Sequence, residues 1–393
     1  MSSRRAPRSR DRRHRPWRVG LVLLPAILIL GLHARAGTET GYGVSVVAGA
    51  DTNPTLAAES GDDGALAAVV LDGAVYHTVG EKVELFVDGV VRSRLHSSEV
   101  RPADRDEAKL QAGLAFAPTP RSSLAFGALY QVYRGTYVDR ATGEPYTYVA
   151  QPLGETVSLA DRLDHDTAEI FADAQLRGPG RATFGLRAES RDADYVEDYE
   201  ARENVWSLDY RSVSVEPRVG LVVVGNVWLW VSVAVADIDY ADLPAVDADG
   251  LPVPGTSRSY RSTRLRAATR VDTNGWIWSV GAAAGAQDDS DAGYYDSSSS
   301  TVFASLSKDL RDGGRLRLFS SFDDVRYDSA IVPSPEERIV RGDELARLQA
   351  HYDRRLVRSL RWFTEGGVER ADSRDPIYEY DRTWVMAGLE LRR

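Results

Sequence analysis

Apolar and polar residues alternate along the stretch from Val213 to Tyr240, and this pattern constrains the fold more than any other feature of the chain. In its second half, valine and leucine occupy every other position from Val227 to Val235, with tryptophan, serine and alanine between them. A period of two residues is typical of a β-strand with two unlike faces. Gly225-Asn226 separates this half from an alternating first half, which predicts a hairpin with a two-residue turn.

Each arm of this hairpin is longer than the roughly 5 to 6 residues of a usual strand in a soluble protein. A tilted strand of about 9 to 11 residues crosses a bilayer. One face is apolar enough for lipid, whereas the other mixes small, polar and charged residues, as in the wall of a transmembrane barrel.

The same pattern repeats from Gly41 to the end of the chain, with long polar connections alternating with short turns. It predicts an all-β fold, a transmembrane antiparallel up-and-down β-barrel of about 16 strands, with 14 or 18 as alternatives. The sixteen candidate strands lie near 41–50, 65–78, 83–95, 107–118, 123–134, 166–177, 182–191, 204–224, 227–240, 259–272, 276–287, 298–309, 315–327, 342–354, 361–371 and 382–392.

The N-terminal 36 residues have the composition of an export signal. They hold nine arginines, then an apolar run from Val19 to Leu32 and the small-x-small sequence Ala34-Arg35-Ala36. We therefore predict a signal peptide at 1–36 and a barrel domain at 37–393. A retained anchor is the alternative, although the run is shorter than the roughly 20 residues of a spanning helix. The pairs Arg4-Arg5 and Arg12-Arg13 raise the twin-arginine route, but neither leads directly into an apolar segment.

Charge and cysteine content exclude several classes of function. The full chain has a net charge of −10, and without residues 1–36 it has −18. So acidic a chain is a poor nucleic-acid binder, and we expect no nucleic-acid partner. The absence of cysteine excludes a disulfide scaffold, a thiolate metal site and a thiol nucleophile.

Within each candidate strand, every second residue points to the same face, and we call such a set of alternate positions a parity. Charged residues in the candidate strands recur on one parity. A charge on a lipid-facing parity costs about 2 to 4 kcal/mol at mid-bilayer, so the charged parity is predicted to face the lumen. Ion pairing along the wall is the alternative role for these side chains. The predicted pore-lining residues are Glu84, Asp88, Glu169, Asp173, Arg187, Arg264, Arg266, Arg270, Arg315, Arg317, Asp323, Arg347, Asp353 and Glu365.

Aromatic residues near strand ends predict girdles at the two membrane interfaces, with Tyr133, Tyr240, Tyr260 and Trp278 among them. Aromatic residues on the lumen parity are predicted either to offer stacking faces to sugar rings or to fill gaps in the wall. These are Phe171, Phe319, Phe363 and Trp384. A change of parity after Tyr210 predicts a bulge near Arg211 or a strand that continues above the membrane.

The stretch Gly41–Pro54, in which a strand ends in Asp51-Thr52-Asn53-Pro54, resembles Gram-negative outer-membrane β-barrels, of the porin-like kind associated with exopolysaccharide export. The C-terminal strand is similar to the assembly signal of outer-membrane proteins, with Gly388 and Leu391 at the family's spacing and Arg393 in place of the usual aromatic.

The resemblance implies location in the cell outer membrane, after export directed by the signal peptide. It also implies a channel for hydrophilic solutes or a secreted polysaccharide. The implied partners are outer-membrane lipids and lipopolysaccharide, the barrel assembly machinery and a periplasmic polysaccharide-export protein.

Two other functions stay open at this stage. Long loops such as 135–165 could fold inward and make a structural barrel without an open pore. An outer-membrane lipid-modifying enzyme is a minor alternative, with His96 beside Ser97 and Ser98 as its only adjacent Ser–His set. No nucleophile-elbow, zinc-protease or P-loop motif occurs, so we predict no enzyme activity and no cofactor. We predict no metal site, although acidic loops near Asp192 and Asp288 could bind calcium.

Overall fold

The computed structural model describes residues 37–58, 63–97, 103–142, 144, 146–150, 155–159, 161–195, 206–311, 313–332 and 339–393. The predicted signal peptide lies outside the described residues. Within them, no helix is both long and apolar enough to cross a membrane.

Sixteen antiparallel strands form one closed barrel, which confirms the predicted fold class and strand count. In chain order, the eighteen strands of the described residues are β1 Thr38–Asp51, β2 Gly64–Val79, β3 Val83–His96, β4 Arg105–Thr119, β5 Ser122–Gly135, β6 Thr147–Ala150, β7 Glu155–Ser158, β8 His165–Arg177, β9 Ala182–Tyr195, β10 Tyr210–Val224, β11 Val227–Tyr240, β12 Ser259–Thr273, β13 Trp276–Asp289, β14 Ser297–Asp309, β15 Gly314–Val332, β16 Ile339–Val357, β17 Leu360–Ser373 and β18 Tyr380–Arg392. All except β6 and β7 belong to the barrel. Each barrel strand pairs with the barrel strands before and after it in the chain, and β1 pairs with β18 to close the wall.

Two strands, β6 and β7, stand apart from the barrel. They form a two-stranded hairpin inside the connection between β5 and β8, so β5 pairs directly with β8. Two 3-10 turns, Pro179–Arg181 and Pro376–Tyr378, lie in the connections before β9 and β18.

The hairpin of β10 and β11 forms as the alternation predicts. Gly225 has a φ of +48°, the left-handed conformation that a tight hairpin turn needs. The bulge predicted near Arg211 is wrong, because β10 pairs there with β9 and β11 without interruption. The register of β10 with β11 shifts between Val222 and Val224 instead, next to the turn. Tyr210 shares its parity with Ser212 and Ser214, so its apolar ring belongs to the inner face and the parity does not change.

The two ends of the barrel differ. The turn end carries short connections, such as those at Gly225-Asn226 and Asn274-Gly275, and both the beginning of β1 and the end of β18. There the backbones of Tyr42 and Arg393 form two hydrogen bonds of 3.0 Å. The loop end carries the long connections, including those at 136–164 and 241–258.

The outer wall is apolar and exposed over most of its height. Ile170 is 65% exposed and Val46 57%, because none of the residues that the structure describes covers this face. Charged pairs on the outward parity occur at the loop end of the strands, as with Arg261 and Asp237 or Arg370 and Asp372. A band of apolar side chains below a charged rim is the surface that a lipid-facing wall requires.

Candidate functional site

All fourteen predicted pore-lining residues lie on the inner face of the wall. Along the strands these residues alternate with exposed apolar residues of the outer face, such as Leu85, Ile170, Leu265 and Leu348, and residues opposite each other in the register share a face. They occupy β3 (Glu84, Asp88), β8 (Glu169, Asp173), β9 (Arg187), β12 (Arg264, Arg266, Arg270), β15 (Arg315, Arg317, Asp323), β16 (Arg347, Asp353) and β17 (Glu365). Their role in lining an open pore stays a prediction.

One network of ion pairs crosses β8, β9 and β10. Glu169 is 4% exposed and accepts from Arg187 at 3.2 Å and from Arg191 at 2.8 Å. Asp173 pairs with Arg218 of β10. Two basic side chains are therefore held against one buried carboxylate, which restricts their reach into the lumen.

A second network covers β15 to β17. Asp353 is 7% exposed and pairs with Arg317 at 2.9 Å and with Arg361 at 3.2 Å. Glu365 lies 3.1 Å from Nδ1 of His351. These contacts support wall pairing as a role of the predicted residues, which parity alone did not distinguish from pore lining.

The seam between β1 and β18 carries the most buried pair. Asp51 is 1% exposed, and the guanidinium of Arg382 donates to it at 2.6 Å and 3.0 Å. The Asp51 carboxylate also accepts from the backbone N–H of Asn53 at 3.2 Å, and the Asn53 amide is bonded to Ala57. The Asp-Thr-Asn-Pro sequence thus forms a turn that locks the first strand to the last one.

Other predicted residues are paired near the strand ends or only weakly paired. Arg270 lies 3.0 Å from Asp272 and Arg315 lies 2.6 Å from Asp309. Asp323 accepts from the Thr301 hydroxyl at 2.6 Å. In the register, Glu84 faces Ala115 and Asp88 faces Gln111. The structure therefore does not gather the fourteen residues into one site.

Arg264 and Arg266 of β12 differ from these arginines. Among the residues that the structure describes, neither forms an ion pair within 4.0 Å. Arg264 donates to the Thr301 hydroxyl at 3.3 Å, and the Arg266 guanidinium lies 4.8 Å from the Phe303 ring centroid. Both side chains are exposed to the lumen.

Several inner-face aromatic rings lie flat against the wall, each over a glycine of the next strand. A Cβ at Gly127 would lie 2.5 Å from Phe171, and one at Gly388 would lie 2.6 Å from Phe363. Arg187 lies 5.1 Å from the Phe171 centroid, and His351 stacks on Phe363 at 5.7 Å. Because these rings are already covered, the geometry supports gap filling for Phe171 and Phe363. Trp384 covers Gly367 in the same way, whereas Phe319 faces Gln349.

Tyrosines line the inner side of the loop end, a feature that the sequence analysis missed. We call this set the tyrosine collar, and it comprises Tyr133, His165, Tyr195, Tyr210, Tyr240, Tyr260 and Tyr295. Its rings form two arcs with centroids 4.8 to 6.3 Å apart, the first from Tyr133 to Tyr195 and the second from Tyr210 to Tyr295.

The interfacial-girdle interpretation is therefore wrong for Tyr133, Tyr240 and Tyr260, which face inward. Trp276 and Trp278 do lie on the outward parity at the turn end, stacked at 5.8 Å. A tyrosine on the same parity as the buried charged residues of its strand faces inward, and this rule distinguishes collar residues from interfacial ones.

The connection 136–164, here named the mouth loop, reaches across the loop end of the barrel. Its Arg140 carbonyl accepts from the backbone N–H of Ala58 at 2.7 Å, and the Arg140 guanidinium lies 5.6 Å from the Tyr378 ring. Ala58 follows β1 and Tyr378 precedes β18, while β5 is separated from β1 by three strands. Leu159, at the other end of this loop, is 2% exposed.

Asp164 anchors the end of the mouth loop. It accepts from the backbone N–H of Gly135 at 2.8 Å, and Arg134 lies 3.9 Å away. Burial raises the pKa of the Asp164 carboxyl to about 6, against the opposing effects of the Gly135 hydrogen bond and Arg134. The anchor therefore changes charge near neutral pH.

The residues of the minor enzyme alternative do not form a Ser–His pair in the described part of the chain. No hydrogen bond joins His96 to Ser97, and Ser98 lies outside the described residues. The His96 Nδ1 lies 3.5 Å from Asp104. Likewise, no three His, Asp or Glu side chains of the described residues are grouped to hold a metal ion.

Comparison with known proteins gives a likeness of fold. No protein-family model and no curated protein matches the chain. The solved structures that it resembles are outer-membrane β-barrels. In vitro folded OmpT of Vibrio cholerae has 9% identity over 92% of this chain and 99% of that one, with a TM-score of 0.49.

Two further structures give similar values. A bacterial polysaccharide outer membrane secretin has 11% identity, covers 91% of this chain and 100% of that one, and has a TM-score of 0.45. An anion-selective porin from Comamonas acidovorans has 10% identity, the same coverages and a TM-score of 0.46. At this distance the likeness concerns the fold alone, so the assignments below depend on the chain's own geometry.

Proposed function

We propose that this protein is an outer-membrane channel for hydrophilic solutes. The observation that carries the proposal is the contrast between the two faces of one closed wall, apolar outside and charged inside. An apolar exterior suits lipid, and a polar lining is what aqueous conduction requires. Barrels of 16 to 18 strands leave an aqueous lumen, whereas barrels of about 8 strands are filled by side chains.

A saccharide chain is the finer substrate class that we propose. The tyrosine collar supports it, because its half-buried rings offer apolar faces beside hydroxyl groups at the mouth, and a pyranose ring has the same mixture of apolar faces and polar edges. Phe171 and Phe363 deeper in the barrel do not support it, because the side chains of Arg187 and His351 already cover these rings. Export of a polysaccharide, with a periplasmic export protein as partner, depends on the sequence resemblance.

Conductance of the purified protein in a planar bilayer tests the channel. Wild-type protein and a variant with residues 137–163 replaced by a short Gly-Ser linker are compared, each first shown to be folded by its heat-dependent gel mobility. Stepwise conductance in wild type supports an open channel. A folded barrel that conducts in neither form contradicts the proposal.

A barrel closed by its mouth loop is the second candidate function. The contacts of Arg140 with Ala58 and Tyr378 favour it, because they hold the loop over the lumen. Conductance only after the deletion supports this gated form. A matched control replaces 242–257, a loop whose Val246 packs on Tyr294 and Ala330 at one side of the rim, and it should leave conductance as in wild type.

The remaining partners are also part of the proposal. The apolar band and charged rim suit outer-membrane lipids and lipopolysaccharide, and the C-terminal strand suits recognition by the barrel assembly machinery. A deletion strain distinguishes the two transport directions. Loss of secreted polysaccharide supports export, whereas normal secretion with lost uptake of a small nutrient leaves only the diffusion channel.

A further inference from the structure

The inner wall formed by β11 to β14 has a different charge pattern from the rest of the lumen. Its described inner-face carboxylates are Asp272, Asp289 and Asp309, which all lie at strand ends. Asp272 and Asp309 pair with Arg270 and Arg315. Asp289 is 8% exposed and accepts from the backbone N–H of Asp291. No carboxylate of this wall is therefore available to the arginines at its centre.

Arg264 and Arg266 lie at that centre. They occupy the sixth and eighth of the fifteen positions of β12, at about half the height of the wall. As residues i and i+2 of one strand they point to the same face, with Cα atoms roughly 7 Å apart. Long side chains at this spacing can converge on one small ion.

The surroundings of the two guanidiniums leave them accessible. Their register partners are Ala234 and Ser232 on β11 and Gly285 and Ala283 on β13, all small residues. Ser232 and Ala283 are buried at the wall, whereas both arginines are exposed to the lumen. Arg264 uses one donor on Thr301, and a guanidinium has five. Its other donors form no hydrogen bond with the described residues.

Elsewhere on the inner wall, buried carboxylates of the described residues neutralise several arginines. Glu169 takes two of them, Asp353 takes two, and Asp173 takes one. A guanidinium pair without a carboxylate partner, facing an aqueous lumen, attracts anions, and its planar donors match carboxylate and phosphate oxygens in bidentate geometry.

We propose that Arg264 and Arg266 form an anion-binding site at mid-height of the lumen, which takes the phosphate or carboxylate group of a passing solute. The serines on the inner face of β14 provide further donors for the same group, whereas the Thr301 hydroxyl accepts from Arg264 and donates to Asp323. The site rests on the proposed channel function and specifies it, because it selects for anionic solutes or anionic substituents of a saccharide. The Arg266–Phe303 contact positions one guanidinium for this role.

Inorganic phosphate is the probe for an equilibrium test that needs no conductance. Phosphorus-31 line broadening is measured as full-length, detergent-solubilised barrel is titrated, for wild type and for three variants. We expect saturable binding to wild type. R264Q/R266Q should weaken it by about tenfold or more, the change that corresponds to at least one charge-assisted hydrogen bond.

Two further variants keep the test decisive. R264K/R266K retains both charges but loses the bidentate donors, so it should bind phosphate more weakly than wild type and more tightly than R264Q/R266Q. R261Q removes a charge from the outward parity of the same strand and should bind as wild type does. Phosphate binding that is equal in wild type and R264Q/R266Q, both folded by gel mobility, overturns the site.

A bilayer measurement separates failure of the site from failure of the channel. At fixed ionic strength, phosphate should reduce chloride current through the wild-type barrel in a saturable way, and R264Q/R266Q should lose this block. Conductance without any saturable block contradicts the anion site and leaves the channel. Phosphate binding in detergent without conductance contradicts the channel and leaves the site.

Discussion

At the scale of single residues, the buried pair of Asp51 and Arg382 holds the seam where the barrel closes. Removing one partner leaves an uncompensated charge in a buried position, which typically costs about 3 to 5 kcal/mol. We expect D51A to lower the free energy of unfolding by about that amount, measured by urea unfolding in lipid vesicles. R261Q, which breaks a fully exposed pair, should leave it close to that of wild type. A loss below about 1 kcal/mol for D51A would show that the seam does not depend on this pair.

Glycines under inner aromatic rings make a second prediction at this scale. A Cβ at Gly127 would lie 2.5 Å from Phe171 and 2.8 Å from the Ala112 carbonyl oxygen. G127A should therefore cost about 1 to 3 kcal/mol through overpacking. G220A is the matched control, since the nearest atom to a Cβ there is 3.8 Å away. Equal unfolding midpoints in guanidinium chloride for the two variants would rule out this packing role.

Single residues could be assigned to the inner face from the sequence, but their partners could not. Alternation places Glu169 and Arg191 on the same face, because in both strands the charged residues lie at the alternate positions that face the lumen. The contact between them depends on the register of β8 with β9, which is set by the turn and by packing along the whole pair. Arg264 and Arg266 lack a carboxylate partner because the residues opposite them on β11 and β13 are small. Which residues lie opposite them also depends on the register, so this property could not be predicted from the sequence.

At the scale of elements, the mouth loop is the part of the structure that pH should affect. The pKa of Asp164 rises from 3.8 to about 6 on folding, so the closed loop binds an extra proton between these values. Its stability is present below pH about 4 and is lost as pH rises through 6. Nearby Asp161 and Asp106 raise this pKa, while Arg134 and the Gly135 N–H lower it.

Hydrogen exchange of amides in 136–164, corrected for the intrinsic rate at each pH, measures this effect. We expect less protection at pH 7.5 than at pH 5 in wild type. D164N keeps an oxygen that can accept from Gly135 but does not titrate, so its protection should be nearly the same at both values. A pH dependence that is equal in wild type and D164N would exclude Asp164 as its source.

Barrel strands were predictable as elements because each carries a long alternating pattern between turn residues. The predicted strand at 204–224 begins instead at Tyr210. Trp206 and Leu208 continue the alternation, but among the described residues no strand pairs with them. The hairpin of β6 and β7 was missed because its four-residue strands, in a polar connection, are too short to show a period. Tyrosines of the collar were assigned to the membrane interface because aromatic residues at strand ends are expected both at the interface and around the mouth of the barrel. Position near a strand end therefore does not distinguish the two.

The molecule as a whole is a single closed wall, which we propose has lipid on one side and water on the other. The even strand number, the alternation of long and short connections and the closure of β1 on β18 follow from one pattern repeated along the chain. What the pattern could not show is the interior shape. That shape depends on which charges pair across strands and on the path of the mouth loop over the lumen.

Single cysteines along β11 distinguish a lipid-facing side of this wall from a water-facing side, and the chain contains no native cysteine. The variants V231C, V233C, A234C, V235C and A236C are folded into lipid vesicles and treated with a charged, water-soluble thiol reagent. We expect positions 234 and 236, which lie on the inner face and are not buried, to react, and positions 231, 233 and 235 to be protected by lipid. Equal reactivity at all five positions, or reaction at the odd positions alone, would contradict this arrangement of the wall.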